Sequence, residues 1–200
     1  MIEIFNCAQG SEEWHKCRLG IPTASEFKSV LAKGEGRTRR TYLLKLLGER
    51  LSGQVADGFS NAHTERGHEQ EPDARNWYAF HHDAEPVQVG FIRNGEKGCS
   101  PDSLIGDNGL LEIKTKLAHL QCEVLLADRC PTDHYAQVQG QIWIAEREWC
   151  DFLSWSPGLH PFVKRVYRDD KYIEALDKAV QTFLDELNEL HEQLKRRYAA

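Results

Sequence analysis

The chain has 200 residues, of which 40% are hydrophobic and 28% are charged, a balance that predicts one sizeable core and a single domain over residues 1–200. The sequence has neither an apolar run long enough to cross a bilayer nor a secretory signal at its N-terminus, so we expect a cytoplasmic protein without a membrane partner. The net charge of −6 does not exclude a nucleic-acid partner, because DNA contacts need only a local basic patch.

Cysteine and histidine patterns exclude two classes of metal site. None of the six cysteines forms a CxxC pair, and the nine histidines show no metal-ligand spacing. A zinc ribbon and a four-cysteine iron–sulfur site are therefore not expected. The simplest interpretation of the cysteines is that they are unpaired thiols.

The N-terminal quarter carries helix-start patterns. Ser11 followed by two acidic residues predicts a short helix that reaches about Leu19 and ends at Gly20. Residues Thr23 to Glu26 match the capping-box pattern and predict the start of a second helix. The segments after it are a glycine-rich basic loop, a leucine-rich helix, a further loop and a long helix, at about 33–40, 43–51, 54–62 and 63–82.

The middle of the chain is predicted to contain strands, with helices again on its C-terminal side. Short β-type runs occur at about 87–92, 104–105 and 110–114, separated by the turn signals Asn94-Gly95 and Asp107-Asn108-Gly109. Two helices and two strands are then expected, at about 117–127, 133–147, 149–156 and 161–168. The fold class predicted from this order is α/β.

A long C-terminal helix is the clearest element, because its apolar residues keep a heptad spacing. They are Ile173, Leu176, Val180, Phe183, Leu187, Leu190 and Leu194. A coiled coil is one interpretation, but packing on the domain or against a neighbouring subunit is favoured.

The residues that indicate chemistry are Asp102, Glu112 and Lys114. Side chains alternate along a strand, so Glu112 and Lys114 point to the same side, and a hairpin between positions 102 and 112 would bring the two carboxylates together. Paired carboxylates suit Mg²⁺, and a lysine beside them can hold an attacking water and offset developing charge. Hydrolysis of a phosphodiester is the reaction that such a centre favours.

A hairpin with solvent-exposed ions is the structural alternative, since a D-x(9)-ExK match is common by chance. Leu110, Leu111 and Ile113 argue against it. They predict a strand that is buried on at least one face. An acid and a lysine on such a strand indicate a function, because charged residues are rarely placed there otherwise.

Several ordered motifs give the chain a resemblance to a known family. The opening motifs are Trp14–Gly20 and Thr23–Ser25, the helical motif is Gly67–Arg75, the catalytic motifs are Cys99–Asp102 and Leu111–Lys114, and the last motif is Tyr135–Gln139. Together they resemble the exonuclease of phage lambda and its viral-recombinase relatives, within the PD-(D/E)XK nuclease superfamily, over roughly residues 10–185. The resemblance implies a restriction-endonuclease-like core: a central mixed sheet flanked by helices, with a long C-terminal helix.

The resemblance also implies residue roles. Glu71, Asp102, Glu112 and the main-chain carbonyl of Ile113 would hold Mg²⁺ or Mn²⁺, and Lys114 would position the nucleophilic water. A pocket for a 5′-phosphate would be formed by Arg18, Ser25, Ser100 and Gln137, since an arginine fork and hydroxyl groups suit a terminal phosphate. The basic run with Arg37, Arg39 and Arg40 either grips DNA phosphates or is an ordinary solvated loop, and the sequence leaves both open.

The activity implied by the resemblance is 5′→3′ digestion of one strand of double-stranded DNA. Family members act as ring-shaped homotrimers, leave a 3′ single strand for a single-strand annealing recombinase, and are encoded by phages or prophages in a bacterial host. Ser103 and Thr115 depart from the family's usual residues, which leaves the local loop geometry open.

Two rival functions remain at this level. A structure-selective endonuclease or junction resolvase could use the same core, and it would cut a closed circular duplex that an end-dependent exonuclease leaves intact. A catalytically silent DNA-binding subunit is the second rival, although such a protein has no chemical need for the complete acid and lysine set.

Overall fold

The computed structural model describes residues 1–32, 37–55 and 62–198, and for residues 62–66 and 68 it describes the backbone alone. The helices are α1 (Glu12–Arg18), α2 (Phe27–Val30), α3 (Arg37–Ser52), α4 (Ala62–His82), α5 (Ala118–Ala127), α6 (Thr132–Ile144) and α7 (Asp170–Tyr198). The strands are β1 (Ile2–Phe5), β2 (Pro86–Val87), β3 (Phe91–Asn94), β4 (Lys97–Cys99), β5 (Ser103–Ile105), β6 (Gly109–Thr115), β7 (Trp149–Trp155) and β8 (Phe162–Tyr167). Among the helices in these ranges, none combines the length and apolarity needed to span a membrane.

The strands form two sheets. The larger one has the order β2-β5-β6-β7-β8, and the smaller one has the order β1-β3-β4. In the larger sheet β6 pairs in parallel with β7 and antiparallel with β5, so the sheet is mixed. The parallel pair is connected through α5 and α6, as a parallel connection requires a crossover. The predicted α/β fold, with a central mixed sheet, flanking helices and a long C-terminal helix, is confirmed.

The central strand β6 is covered on both faces, which explains its nearly continuous apolar sequence. Leu110 belongs to the main hydrophobic core, whereas Leu111 and Ile113 belong to a second cluster beneath α4. The side chain of Glu112 lies on the side of α6, where it bonds two glutamines of that helix. Alternation along the strand therefore places Glu112 and Lys114 together, and their side chains are in contact.

The C-terminal helix packs against its own chain. Its apolar stripe is buried in the main core through Ile173, Leu176, Val180, Phe183, Leu184 and Leu187. The neighbouring elements are α2, α3 and α6. Asp169 precedes the helix, and its side chain accepts the backbone N–H of Tyr172 at 3.0 Å, as a capping residue does. The heptad spacing thus reflects packing on the domain.

The predicted strand at 87–92 is wrong as a single element. Its first part is β2, which pairs with β5, and its last part is β3, which pairs with β1. Gly90 lies at the break, and its N–H donates to the carbonyl of Phe5. A Cβ at this position would lie 2.3 Å from the Cys7 carbonyl oxygen, so only glycine lets the two sheets meet here.

Two predictions near the N-terminus also need correction. Thr23 makes no side-chain cap; the segment is a 3₁₀ turn (Ala24–Glu26) followed by α2, and the Thr23 hydroxyl contacts that of Ser25 at 3.1 Å. The basic run is not a loop in its second half, because Arg37 to Arg40 form the first turn of α3. Residues 33–36 of that run, and 56–61 of the loop predicted at 54–62, lie outside the described residues.

Candidate active site

Asp102 is placed by the antiparallel pairing of β5 with β6. Ser103 pairs with Leu111, and the N–H of Asp102 donates to the Leu111 carbonyl at 3.1 Å. Two residues further along β6, the N–H of Ile113 donates to Oδ2 of Asp102 at 2.5 Å. The carboxylate is therefore held against the backbone of β6 beside Glu112, as the hairpin interpretation predicts.

Glu112 is a buried carboxylate with three charged or polar donors. Its side chain is 2% exposed. Oε1 accepts from Nε2 of Gln137 and from Nζ of Lys114, both at 2.6 Å, and Oε2 accepts from Nε2 of Gln141 at 2.6 Å. Because a buried carboxylate is stable only when it is paired and hydrogen-bonded, these donors explain how β6 can carry an acid in its interior.

Electrostatics at the site favour a cation. Burial raises the pKa of Asp102 well above its usual range, and the charges of Glu112 and Glu71 raise it further, against the opposing effect of Lys114. Burial acts to lower the pKa of Lys114, but the neighbouring carboxylates outweigh it and the pKa is raised. Lys114 is thus held as an ammonium among acids whose mutual repulsion it relieves only in part.

Glu71 approaches the same acids from α4. Its Oε1 accepts from Nη2 of Arg75, one helical turn later. Its side chain lines a second cavity together with Gln9 and Arg75, and its charge is felt at Asp102. Glu71 is therefore beside the centre, on an element separate from the β5–β6 pair.

A group of N-terminal side chains forms the other wall. The indole N–H of Trp14 donates to Oγ of Ser100 at 2.9 Å and to the carbonyl of Gly90 at 3.0 Å. The guanidinium of Arg18 lies over the Trp14 ring, 3.7 Å from its centroid, a cation–π contact. Burial lowers the pKa of Arg18, so an anion bound beside it would be stabilising.

These walls enclose one cavity of about 160 Å³. Its lining contains the predicted phosphate residues and three of the predicted catalytic residues. The lining residues are Gln9, Trp14, Arg18, Thr23, Ser25, Ser100, Asp102, Glu112, Lys114, Gln137 and Gln141. Gln137 lies between the two sets, because it lines the cavity and donates to Glu112. Residues predicted for two roles from separate motifs thus meet in one place.

The chemistry of the donors fits a hard divalent cation. Two carboxylates line the cavity, and oxygen ligands are those that Mg²⁺ prefers. Within the described ranges, no three His, Cys, Asp or Glu side chains already converge into a metal-binding group. In this structure Glu112 is paired with Lys114, and Glu71 is paired with Arg75.

The basic residues of α3 lie apart from this cavity. Arg39 and Arg40 both pair with Glu186 of α7, through N–O distances of 2.6 and 3.3 Å. Arg37 is exposed at the start of the helix. None of the three lines the cavity.

Gln9 lines the cavity although the sequence interpretation did not single it out. Gln9 donates to the carbonyls of Val89 and Pro101 at 3.0 and 3.1 Å, and no local pattern around position 9 announces this. Gln141 is a weaker candidate from the sequence, and it lies one helical turn after Gln137 on the same face of α6. Its Oε1 is buried and has no hydrogen-bond partner in the described part of the chain.

The chain is similar to several solved nucleases. Two structures of LHK-Exo, an alkaline exonuclease from Laribacter hongkongensis, match with a TM-score of 0.88; the one in complex with dAMP is 36% identical and the other 35%, and each match covers 94% of this chain and 98% of that one. A phage related exonuclease from Haemophilus somnus 129PT matches with a TM-score of 0.64, 13% identity and coverage of 90% and 99%, which shows the fold alone. No curated protein matches.

A sequence family completes the comparison. The YqaJ-like viral recombinase domain matches residues 13–148, a span that contains every residue of the cavity lining except Gln9. This match and the likeness to LHK-Exo confirm the resemblance inferred from the motifs. The chain belongs to the family of YqaJ-like viral recombinase domains.

Proposed function

We propose that the protein is a metal-dependent exodeoxyribonuclease that removes nucleotides from the 5′-ended strand of double-stranded DNA. The observation that carries the proposal is the single cavity in which the Glu112–Lys114 pair and Asp102 face Arg18 and Ser100. The first group suits phosphodiester hydrolysis and the second suits a terminal phosphate. Family membership and the exonuclease named in the similar structures support the same activity.

The metal would be held by carboxylates from α4 and from the β5–β6 hairpin. We assign this role to Glu71 of α4, to Asp102 and Glu112, and to the main-chain carbonyl of Ile113, with Mg²⁺ as the natural ion and Mn²⁺ as a substitute. When bound, the ion would polarise the phosphodiester and lower the pKa of a water beside it, so that a hydroxide nucleophile is available at neutral pH. The raised pKa of Asp102 supports the assignment, because a cation would remove the repulsion that contributes to it.

Lys114 would act on the attacking water. Its ammonium lies 2.6 Å from Oε1 of Glu112, so it can hold a water beside the acids and offset the charge that develops on the phosphate. The water oxygen forms the new bond to phosphorus, the bond from phosphorus to the 3′ oxygen of the end nucleotide breaks, and that oxygen takes a proton. The shortened strand then carries a new 5′-phosphate, the group that the other wall of the cavity suits.

The 5′-phosphate would be held by Arg18, Ser25, Ser100 and Gln137. Arg18 is fixed against the Trp14 ring, which reduces the side-chain entropy that phosphate binding would cost. Because Gln137 also donates to Glu112, binding of the end and alignment of the scissile bond are connected through one side chain.

The partners belong to the same proposal. We propose one nuclease domain over residues 1–200 that works as a homotrimer, in the cytoplasm of a bacterium that carries the phage or prophage. The 3′ single strand would pass to a single-strand annealing recombinase. Family membership supports these assignments, and a solution mass of three chains is the expected result for the oligomer.

A linear duplex with a 5′-phosphate at one end only is the substrate that tests the activity. The protein is incubated with it in Mg²⁺ and in EDTA, beside a closed circular duplex as control. We expect metal-dependent loss of the phosphorylated strand and an intact circle. Digestion without end preference would contradict the assignment of the phosphate pocket, and cutting of the circle would favour the endonuclease. No digestion in Mg²⁺ would favour the silent DNA-binding subunit.

A further inference from the structure

Arg75 connects α4, which carries Glu71, to the start of β5, which directly follows Asp102. Its Nη2 donates to Oε1 of Glu71 on α4, and its Nε donates to Oγ of Ser103 on β5 at 3.1 Å. The Ser103 hydroxyl in turn donates to the main-chain carbonyl of Asp102 at 2.5 Å. A continuous series of hydrogen bonds therefore runs from one acid to the backbone of the other.

The guanidinium has acceptors in addition to Glu71. The amide oxygen of Gln88, in the orientation that satisfies its hydrogen bonding, accepts from Nη1 and Nη2 of Arg75 at 3.1 Å each. The Arg75 side chain is 11% exposed, and Ser103 is fully buried. A planar guanidinium that is held by several acceptors has a fixed orientation, so the place of the Arg75 fork does not depend on Glu71 alone.

We propose that Arg75 is a positioning residue that, through Ser103, fixes Glu71 of α4 against Asp102 so that both carboxylates face one divalent cation. The proposal rests on the proposed metal role of these two acids. Arg75 engages Oε1 of Glu71, so Oε2 can turn to the cation. Groups that orient metal ligands in this way typically change metal affinity about 10- to 100-fold when they are removed.

A competing role for Arg75 predicts the opposite sign. If the guanidinium is only a counter-charge that occupies the place of the ion, its removal increases metal affinity, because a positive charge beside the site is lost. If it positions Glu71, its removal decreases metal affinity. One measurement of affinity therefore separates the two roles.

The measurement is calorimetric titration of the DNA-free protein with Mn²⁺. We expect Arg75→Gln to bind Mn²⁺ about 10-fold more weakly than the unmodified protein or worse. Arg75→Lys should be nearly as weak, because one ammonium cannot donate to Ser103 and Glu71 in the geometry of a fork. Ser103→Ala should give a smaller loss, and the double variant should be no weaker than Arg75→Gln, since the two residues act in one series.

Arg165→Gln is the matched control. Arg165 binds the buried Asp151 at 2.8 and 2.9 Å, and Asp151 accepts from the hydroxyl of Tyr78 on α4. This variant should lower the free energy of unfolding without changing Mn²⁺ affinity. An equal loss of affinity in Arg165→Gln would show that α4 is merely loosened, and would overturn the specific role of Arg75.

Activity supplies the second measurement. In Arg75→Gln, kcat should fall while KM for duplex DNA stays close to that of the unmodified protein, and a higher Mn²⁺ concentration should restore kcat. Unchanged or tighter Mn²⁺ binding by Arg75→Gln, with normal binding by the unmodified protein, would overturn the positioning role alone. Failure of the unmodified protein to bind Mn²⁺ would overturn the proposed metal centre together with it.

Discussion

The ammonium of Lys114 lies 2.6 Å from Glu112, whose carboxylate keeps Gln137 and Gln141 as donors when the lysine is removed. Lys114→Ala should therefore remain folded, with a cooperative unfolding transition. Its rate of nucleotide release should fall by about 10²- to 10⁴-fold, the usual contribution of a group that handles the proton of the nucleophile.

The control for this variant is Lys164→Ala. Lys164 is an exposed lysine that pairs with Asp128 at 3.2 Å, and it should keep full activity. Release of acid-soluble nucleotides from linear duplex DNA measures both variants. Wild-type turnover by Lys114→Ala would mean that the lysine serves only to balance the charge of Glu112.

Asp102 gives a prediction on pH. Its pKa is raised by burial and by Glu112 and Glu71, so the folded protein retains a proton that the unfolded chain releases. Stability from this group is present at low pH and is lost as the pH rises through the raised pKa. Asp102→Asn removes the charge, and the amide oxygen can still accept the Ile113 N–H.

In EDTA, the melting temperature of Asp102→Asn should therefore exceed that of the unmodified protein by an amount that is small near pH 4 and grows as the pH rises. For a chain of this length, each kcal/mol of added free energy of unfolding raises the melting temperature by about 2–4 °C. Mn²⁺ should raise the melting temperature of the unmodified protein far more than that of the variant. A difference in melting temperature that is constant over the whole pH range would mean that folding does not raise the pKa of Asp102.

The sequence motifs contain the acidic residues of the cavity and the residues proposed to bind the 5′-phosphate, and these residues line one cavity because the motifs are compact and keep a fixed order. The sequence did not predict a role for Gln9 or Arg75. Gln9 acts through two carbonyls that are about 80 and 90 positions away, and Arg75 acts through a serine on another element. Such contacts depend on tertiary packing, which no local pattern encodes.

At the scale of elements, Gly140 determines how closely α6 approaches the turn that carries Ser25. A Cβ at Gly140 would lie 2.5 and 2.7 Å from two carbons of the Phe27 ring and 3.2 Å from Cβ of Ala24. Phe27 is fully buried, so its ring cannot move aside without disturbing the core. The close approach lets Gln137 of α6 and Ser25 line one cavity.

Gly140→Ala should therefore lower the free energy of unfolding by about 1–3 kcal/mol, as overpacking does, despite the better helix propensity of alanine. It should also weaken the preference for a 5′-phosphorylated end, because the turn of Ser25 must shift. Gly48→Ala is the control. Gly48 lies in α3 with nothing within 4 Å of the added Cβ, so this substitution should raise the free energy of unfolding by about 0.5–1 kcal/mol. Urea unfolding compares the two, and stabilisation of both would show that the contact at Phe27 yields easily.

Elements with a long apolar period were predictable, and the short strand β5 was also expected, but the short strands β1 and β4 were missed. The heptad of α7 and the apolar run of β6 each carry many apolar residues, so their burial determines their structure. β1 and β4 are short, and β1 finds its partner β3 at Asn94–Phe91, far along the chain. The break at Gly90 was missed because the close approach of Cys7 is a contact between distant segments.

For the whole molecule, a net charge of −6 means that any contact with DNA depends on local cations within a field that repels DNA. Arg39 and Arg40 are local cations at the start of α3, but both are paired with Glu186. The pairs join α3 to α7 across the surface. Whether these arginines also contact DNA phosphates can be decided by releasing them from their partner.

If Arg39 and Arg40 contact phosphates, Glu186→Gln should bind duplex DNA several-fold more tightly in EDTA at low salt. The slope of the logarithm of the binding constant against the logarithm of the salt concentration should also steepen by about 0.9 for each additional phosphate contact. Glu174→Gln is matched in charge and frees Lys178 on the same helix, where the pair distance is 2.6 Å. Equal tightening by both variants would mean that net charge acts at long range. If neither changes the affinity, the arginines belong to a solvated surface and the α3–α7 pairs are structural. Tightening by Glu186→Gln alone assigns the basic end of α3 to the path of the DNA.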